Sequence, residues 1–503
     1  MGQRLLARSL AVLLALAATW SVSATETDQY SSWGKPIKDS TEVLNAWFTR
    51  ELQRTLAGLP SDRPPATCWD VTVRFQRRLR FLFIFHPVEV WSSSSPLVGR
   101  YPGTPQDEHE SHRSNIYSRH GLLDVGMWMP LGDTIEVAGV RIGTDKLAHF
   151  VSLGWKYYRG YRRLVRHGMS PEKAELTVIR KGVVGERYLL LGYRTSGILS
   201  ISDLEADNQG MRFYRDLCSG PNPVLELSEG RWRIRRPIDL ARYVTPEWDE
   251  SYEPQIFRKG RWSSMLPMLR GYCHWLDSPW LEEQRKRYSA RDGLTLNESV
   301  VLEMVEQGKL PDPTGFTLEA VCGQPVRPLD GGAARVPVMA TPTVDLPALE
   351  QEIADEQAGK KARLVILPLL GWTRPNGPSG SLALMLTHLE PDADCATLCE
   401  ISGPYAQLGA GTGGGRLSLG YGQLLGELRR DRLLTHAYLG YGLKATLLRT
   451  WSNPVGAPPS TTYLGAAAEV SIARVNIELG ALRRVQGRRD DRWLFTWGLG
   501  FGF

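Results

Sequence analysis

Long apolar runs and enzyme signatures are scarce in this sequence. After the first 24 of its 503 residues, no stretch offers about 18 uninterrupted apolar residues, which argues against a membrane-spanning helix. Residues 224 to 322 contain no nucleotide-binding glycine pattern, no HExxH motif and no GxSxG motif. The formal net charge is a modest +6, and no basic run with interleaved aromatic residues favours a nucleic-acid partner. Enzyme and non-enzyme functions both stay open.

The start of the chain has the pattern of a secretory signal peptide over residues 1 to 24. Arg4 and Arg8 form a positive end, and an apolar run precedes a small-residue cleavage pattern at Ala24. Removal of both arginines, the only charged residues of this leader, leaves +4 on the mature chain. The first cysteine is Cys68, far from the cleavage pattern, so no lipid-modified N-terminus is predicted. We therefore expect an exported protein.

The chain has six cysteines, an even number, which in an oxidising compartment predicts structural disulfides. Proximity favours a bond between Cys395 and Cys399. Three pairings stay open for the other four, which are Cys68, Cys218, Cys273 and Cys322. A metal site is the weaker alternative, because the spacing matches no zinc pattern.

Composition divides the mature chain into three parts. Residues 25 to 322 have the apolar spacing of a mostly helical domain. Residues 323 to 361 are rich in Pro, Gly and Ala and predict a linker with a short helix. Residues 362 to 503 alternate in hydrophobicity between turn signals, which is typical of a membrane β-barrel. The predicted fold class is multidomain α+β: a mostly α-helical periplasmic domain followed by an antiparallel transmembrane β-barrel of about eight strands.

Three segments of the helical part can be assigned individually. Residues 42 to 57 have the spacing of an amphipathic helix that ends before Gly58. Residues 69 to 85 are aromatic and basic, which favours a buried helix covered by arginine side chains or, as an alternative, a membrane-surface segment. Residues 134 to 142 alternate around a glycine and predict a hairpin.

The last eleven residues, Trp493 to Phe503, alternate large apolar side chains with glycine and small polar residues. This period of two predicts a strand with one apolar face, either in a barrel or at the end of a soluble sandwich. The predicted strand segments are 363–373, 380–390, 403–412, 415–427, 434–451, 461–473, 474–485 and 492–503. The first of them is irregular, because Pro368 cannot donate a hydrogen bond.

Four charged residues fall on the face of these strands that we expect to point inward. They are Arg416, Lys444, Glu469 and Glu478. A barrel of eight strands has no room for an aqueous pore, so we expect these charges to pair inside it as a polar plug. The strands are joined by short loops on the outward side, which argues against an adhesin or a large receptor.

A terminal Phe503 preceded by alternating aromatic residues resembles the C-terminal signal of bacterial outer-membrane β-barrel proteins. The resemblance implies the outer membrane of a Gram-negative bacterium, with outer-membrane lipid and the barrel-assembly machinery as partners. An even strand count leaves both ends of the barrel on one side. We therefore place residues 25 to 360 in the periplasm, where envelope components are the expected partners.

The candidate functional residues begin after the predicted hairpin, in a helix that Thr144 is expected to cap. Asp145, His149, Ser152 and Lys156 follow at offsets of four, three and four, which predicts a polar stripe on one face. The alternative is a solvated face on which Asp145 orients His149 through an ordinary hydrogen bond. A nucleophilic triad of Ser152, His149 and Asp145 is disfavoured, because side chains this close on one helix point the same way.

Further acidic residues follow in the next two helices. One helix is expected to start at Ser170-Pro171 and includes Glu186. The other holds Asp203, Glu205 and Asp207 near its start, where Ser202 and Glu205 have the spacing of a capping box. The order of the acids is not that of a calcium loop, because Asn208 occupies the required glycine position.

Antiparallel packing of the first two helices would bring His149 close to Glu186 or Asp203. Such a site offers acid/base chemistry by Asp145, His149, Glu186 and Asp203. Alternatively, His149, Glu186 and Asp203 would bind a divalent metal, the only cofactor that the sequence suggests.

The string DKLAHF, residues 145 to 150, resembles envelope-associated bacterial families, including membrane proteins similar to the teicoplanin-resistance type and uncharacterised periplasmic proteins. The helix differs from theirs in that Lys156, Arg159, Arg162 and Arg163 interrupt it, so it would not span a bilayer. No activity is transferred from this resemblance.

Two functions follow as hypotheses. The preferred one is a non-enzymatic protein whose barrel anchors a periplasmic domain that binds or organises envelope components. The alternative is a hydrolase or transferase acting on envelope lipid or cell-wall material, with its site around His149. A transport channel is disfavoured by the small strand count.

Overall fold

The computed structural model describes residues 26–59, 67–79, 86–117, 131–188, 192–194, 196–288, 293–325, 346–358, 361–389, 395–428, 436–472, 475–487 and 492–502. These residues form two compact units, and the boundary between the units falls after Ile353 in the sequence. The predicted signal peptide, most of the predicted linker and the terminal Phe503 lie outside the described residues.

The first unit is mostly helical, as predicted. Helices α1 to α12, the last of which crosses the boundary, span Thr41–Ala57, Cys68–Leu79, Pro87–Ser94, Pro105–Ser114, Thr144–Arg166, Pro171–Tyr188, Ile201–Asp216, Lys259–Leu269, Pro279–Tyr288, Leu296–Glu306, Leu318–Cys322 and Leu346–Ala358. None of these helices is both long enough and apolar enough to cross a bilayer.

Helix α1 shows why these segments are helical. Leu44, Phe48 and Leu52 follow one another at intervals of four, and all three are fully buried. The helix ends where Gly58 begins the next turn, as the spacing predicts. Helix α2 covers the first part of the predicted segment 69–85, whereas residues 80 to 85 lie outside the described chain.

Short strands β1 to β9 support the helices in small sheets. They span Glu26–Thr27, Arg100–Tyr101, Leu131–Gly132, Thr134–Val137, Val140–Gly143, Ile198–Leu199, Leu225–Ser228, Arg231–Ile234 and Ile256–Phe257. Strands β4 and β5 form the predicted hairpin. Its turn places Gly139 at φ +75°, a conformation that favours glycine.

Two disulfides link distant parts of this unit. Cys68, at the start of α2, is bonded to Cys218, just after α7, and Cys273 is bonded to Cys322. Their Cα atoms lie 6.2 and 5.6 Å apart, within the ordinary range. The structure thus selects one of the three pairings. The side chains of Cys395 and Cys399 lie outside the described part of the chain, so that predicted bond stays a prediction.

The core of the first unit is aromatic at the point where α1, α5 and α7 meet. Phe150 of α5 lies 4.9 Å from Phe213 of α7, 6.2 Å from Phe48 of α1 and 5.6 Å from Trp248, measured between ring centroids. These large side chains are fully buried. Because they bury much apolar area, they fix α5 and α7 side by side.

The second unit is a closed antiparallel barrel of eight strands, as the alternating pattern predicts. Strands β10 to β17 span Lys361–Arg374, Gly377–Leu389, Cys395–Gly411, Gly414–Leu428, His436–Thr450, Thr462–Ile472, Val475–Gln486 and Trp493–Gly502. Neighbours in sequence pair along the whole order, and β10 pairs with β17 to close the barrel.

The proline of the first barrel strand lies at a position where its missing hydrogen-bond donor does not interrupt the strand pairing. Pro368 is inside β10 and faces Leu382 of β11. The pairing of β10 with β17 begins only at Leu369, opposite Gly502. The missing donor therefore falls at the point where β10 extends past the described end of β17, so the strand tolerates proline there.

The two faces of the barrel strands differ as predicted. On the outer face Leu443, Phe495, Leu499 and Phe501 expose between 47% and 67% of their surface. On the inner face charged side chains such as Lys444 are buried. Closure of the barrel by the pairing of β10 with β17 excludes the alternative of a sandwich.

Candidate functional site

Helix α5 begins directly after strand β5, and this start positions the first site residues. Gly143 precedes the helix, and a Cβ atom there would lie only 1.9 Å from Oδ1 of Asp145. The absent side chain lets Asp145 turn back and accept a hydrogen bond of 2.6 Å from the Thr27 hydroxyl. Thr144 is therefore not the cap. It is the first helical residue, and its hydroxyl accepts the amide of Asp133.

Helices α5 and α7 pack unusually closely beside the site. A Cβ atom at Gly154 would lie 2.6 Å from Cα of Gly210, and one at Gly210 would lie 2.0 Å from the carbonyl oxygen of Phe150. Both residues must be glycine for the two backbones to approach this far. The contact aligns the starts of the helices, which places Lys146 and His149 of α5 against the acidic start of α7.

Lys146 lies at the centre of the site and is fully buried. Its ammonium group is 2.5 Å from a carboxylate oxygen of Asp145, 2.7 Å from one of Asp203 and 2.6 Å from one of Glu250. Burial by itself lowers the pKa of Lys146, but attraction by these carboxylates outweighs it and raises the pKa well above the ordinary value. The ammonium group is saturated with acceptors, so it is unsuited to act as a nucleophile.

His149 lies between two aspartates one turn apart. Its Nδ1 is 3.0 Å from Oδ1 of Asp207, and its Nε2 is 3.5 Å from Oδ2 of Asp203. Burial lowers the pKa of His149, but Asp203 and Asp207 raise it to about 10. At neutral pH the ring is therefore an imidazolium ion, which donates protons and hydrogen bonds but does not accept a proton as a general base.

Glu186 lies on α6 and is buried close to the same groups. Burial and the neighbouring charge of Asp203 raise its pKa to about 8, whereas His149 lowers it. Burial likewise raises the pKa of Asp207 to about 6 and that of Glu250 to about 7. The site holds more carboxyl groups than cations, and Glu186 keeps its proton at neutral pH. A protonated carboxyl group of this kind is suited to act as a general acid.

The arrangement bears directly on the possibility of a metal ion. Among the described residues, one set of three ligand atoms lies within 4.8 Å of one another, and it belongs to Asp145, Asp203 and Glu250. The ammonium group of Lys146 sits among the same three carboxylates. The chain thus supplies its own cation at this point. The predicted ligand set of His149, Glu186 and Asp203 is not the set that converges.

The structure brings the predicted residues Asp145, His149, Glu186 and Asp203 into one buried neighbourhood. His149 contacts Asp203 and Asp207, whereas the sequence alternative paired it with Asp145. Lys156 is exposed, but its charge acts on Asp207, so the polar stripe of α5 extends to it.

The start of α7 also differs from the expectation. Ser200 caps the helix by accepting the amide of Asp203, so the predicted capping box of Ser202 and Glu205 is wrong. Glu205 instead accepts hydrogen bonds from Gln209 and Asn297. The helix starts two residues earlier than a box at Ser202 requires, and this shift points Asp203 and Asp207 toward α5.

Two central residues were missed by the sequence reasoning. Lys146 lies inside the DKLAHF string but resembles a surface lysine, and Glu250 lies in an irregular segment 104 positions later. The one available signal was the placement of a lysine next to Asp145 and three positions before His149, on a helix with few other polar residues in its first turns.

No protein family, curated protein or solved structure shows significant similarity to this chain.

Proposed function

We propose that the chain is an outer-membrane protein of a Gram-negative bacterium, in which the barrel anchors a periplasmic helical domain that binds or organises envelope components. The observation that supports this most directly is the partition of the barrel side chains. Leucine, tryptophan and phenylalanine cover the outer face, and the charged side chains of Arg416, Lys444, Glu469 and Glu478 are buried inside. Lipid tails solvate such an outer face, whereas water does not.

The interior of the barrel supports an anchor over a channel. Arg416 lies 2.5 Å from Glu478, and Lys444 lies 2.7 Å from Glu478 and 2.5 Å from Glu469. Gln407 accepts a further hydrogen bond from Lys444. Beside Arg416 and Glu478 a cavity of only about 10 Å³ remains, which is room for one water molecule.

The loops at one end of the barrel are joined to one another by hydrogen bonds. The loop between β14 and β15 contacts the two tight turns at the same end. In it the amide of Val455 donates to the carbonyl of Pro375, and the amide of Trp451 donates to that of Gly413. Arg374 donates a hydrogen bond to the carbonyl of Gly456. A polar plug together with loops tied to one another favours an anchor.

The location is tested with the full-length chain expressed in a Gram-negative host. We expect it in the outer-membrane fraction, with a band on SDS gels that shifts only after heating. The helical unit should resist added protease in intact cells and be cut once the outer membrane is permeabilised. A soluble protein without a heat-dependent shift would contradict the proposal, and a steady conductance in planar bilayers would contradict the anchor role.

The second candidate is an enzyme that acts on envelope lipid or cell-wall material. Its supporting observation is the buried Glu186, which is protonated at neutral pH beside the His149 imidazolium ion. In this reading Glu186 is the general acid and His149 is a positioning cation. Native mass spectrometry and metal analysis of the full-length protein test it, with His149→Ala beside the wild type. A retained metal or lipid that is lost in the variant would favour an enzyme or a specific ligand site at His149, and equal composition would leave His149 with a structural role.

A further inference from the structure

A small cavity in the helical unit borders the charge cluster at Glu250. Its volume is about 30 Å³, enough for a group of two or three heavy atoms. Oε1 of Glu250 accepts hydrogen bonds from Lys146 and Ser200. Its other oxygen, Oε2, lies 3.5 Å from the hydroxyl of Tyr117, which also lines the cavity. The carboxylate of Glu250 therefore contacts the ammonium group of Lys146 and also lines the cavity.

The wall of this cavity is acidic and aromatic. Carboxyl groups of Asp28, Glu250, Glu253 and Glu319 line it, and no Lys, Arg or His occurs among the described lining residues. Glu319 is already paired with Arg285. Tyr30, Tyr117, Phe257 and Phe316 supply the aromatic rings. Carboxylates beside aromatic faces form the usual environment of a bound organic cation.

One residue of this wall, Asp28, has a buried carboxylate oxygen that lacks a hydrogen-bond donor among the described residues. The side chain is almost fully buried, and its Oδ2 accepts the amide of Ile116 at 2.8 Å. Its Oδ1 is buried without a hydrogen bond from any described residue. Burial and the neighbouring charge of Glu250 raise the pKa of Asp28 to about 7, against the lowering effect of backbone amides that include Ile116 and Ser31. A buried acceptor of this kind is costly unless a donor fills the space in front of it.

We propose that this cavity binds the primary ammonium group of an envelope component, held by Asp28 and Glu250 against the aromatic wall. The inference deepens the binding function proposed above and rests on it. An anion is disfavoured by the four carboxyl groups. A metal ion is disfavoured because, among the described residues, the carboxylates of this wall do not converge as a ligand set. Within the chain, Glu250 already accepts a hydrogen bond from one primary ammonium group, that of Lys146.

Envelopes offer primary ammonium groups from two sources, namely ethanolamine lipid headgroups and the amino groups of cell-wall peptides. A headgroup brings a phosphate close to its ammonium group, whereas a peptide side chain brings only methylene groups. The carboxylate of Glu253 lines the same small space and would repel a phosphate. We therefore expect an alkyl ammonium group to bind more tightly than phosphoethanolamine.

The test is isothermal titration calorimetry of the full-length chain in neutral detergent and phosphate buffer, because amine buffers would compete. The probes are butylammonium, phosphoethanolamine, N-acetyl-lysine amide and tetramethylammonium. Butylammonium and the lysine amide should bind with a Kd of about 1–10 mM. Tetramethylammonium has the same charge but no N–H donor and should not bind. Equal binding of tetramethylammonium would mean general attraction to acidic surface and would overturn the inference.

Asp28→Asn is the decisive variant, because asparagine keeps an acceptor for the Ile116 amide but removes the charge. It should weaken butylammonium binding at least about tenfold. Asp277→Asn removes an exposed aspartate of the same unit and should bind like the wild type. Unchanged affinity of Asp28→Asn would overturn the inference. A second variant, Phe316→Leu, keeps every carboxylate and should weaken binding several-fold through loss of a ring.

Failure of this inference can be told apart from failure of the anchor. Each preparation is checked by near-ultraviolet circular dichroism and by the heat-dependent gel shift. A folded protein with a normal gel shift that binds none of the amines would overturn only the ammonium site. A protein that binds them but does not fractionate with the outer membrane would overturn only the anchor.

Discussion

Removal of the buried ammonium group in Lys146→Met should destabilise the helical unit strongly. Three carboxylates surround this group at 2.5 to 2.7 Å, and methionine fills the space without the charge. Loss of one partner from a buried ion pair costs about 3–5 kcal/mol, because the remaining charge is left uncompensated. At roughly 2 °C per kcal/mol for a unit of this size, the unfolding temperature should fall by about 6–10 °C.

The pH dependence of this variant provides a second readout. In the wild type Lys146 and His149 hold the pKa of Asp203 below its ordinary value despite burial. Without the ammonium group, burial raises the carboxyl pKa values of the folded state above those of the unfolded chain, which are about 4. Stability is then greatest below the unfolded pKa and falls as the pH rises through the raised values. The loss relative to the wild type should therefore be larger at pH 8 than at pH 5.

The assay is thermal and urea unfolding of the full-length protein in detergent, followed by near-ultraviolet circular dichroism. Lys286→Met is the matched control, because Lys286 is an exposed lysine on α9 that pairs across one helical turn with the exposed Glu282. The control should unfold like the wild type. If Lys146→Met were as stable as Lys286→Met at pH 8, the ammonium group would not compensate the carboxylates, and our reading of the site would be refuted.

Three further changes test other parts of the structure. Gly210→Ala should destabilise the helical unit by about 1–3 kcal/mol in urea unfolding, because its Cβ would lie 2.0 Å from the backbone of α5. Lys444→Met should lower the temperature at which the barrel unfolds on SDS gels, since Glu469 and Glu478 lose their shared cation. Glu186→Gln should flatten the stability profile between pH 5 and 8. In the wild type the pKa of Glu186 is raised to about 8. Protonated Glu186 therefore stabilises the folded state fully below the ordinary carboxyl pKa, and this stabilisation is lost as the pH rises through 8.

Each of these changes has a matched control. Gly260→Ala adds a Cβ atom with nothing within 4 Å and should be neutral or slightly stabilising. Arg449→Met removes an exposed charge of the same strand as Lys444 and should leave the gel shift unchanged. Glu172→Gln removes an exposed carboxylate from the same helix as Glu186 and should keep the wild-type pH profile. If a variant and its control behaved alike, the stabilising role that we assign to the corresponding contact would be wrong.

The barrel was predictable because its signal is local. Alternation with a period of two identifies each strand within its own sequence, and seven of the strands begin within three residues of the prediction. Strand β12 begins at Cys395, whereas the pattern predicted 403. Its pairing with β13 shifts register between Cys395 and Cys399, so strict alternation is lost there.

The charge cluster was predictable only in part, because its contacts are not local. Helical spacing placed Asp145 and His149 correctly on one buried helix start. The partners of Lys146 depend on the close approach of α5 and α7 and on the path of the chain to Glu250, 104 positions away. A capping serine two positions from the expected one decides which acids of α7 face α5. Periodicity carries no information of this kind.

The internal ammonium group of Lys146 has a consequence for assembly. Carboxylates that converge in a protein often depend on a cation captured from the surroundings, and a chelator can then unfold the site. Here the counter-ion is covalently attached to the chain, one residue from Asp145. In a compartment whose ion content follows the growth medium, such as the one proposed for this domain, the folded cluster forms whether calcium and magnesium are plentiful or scarce.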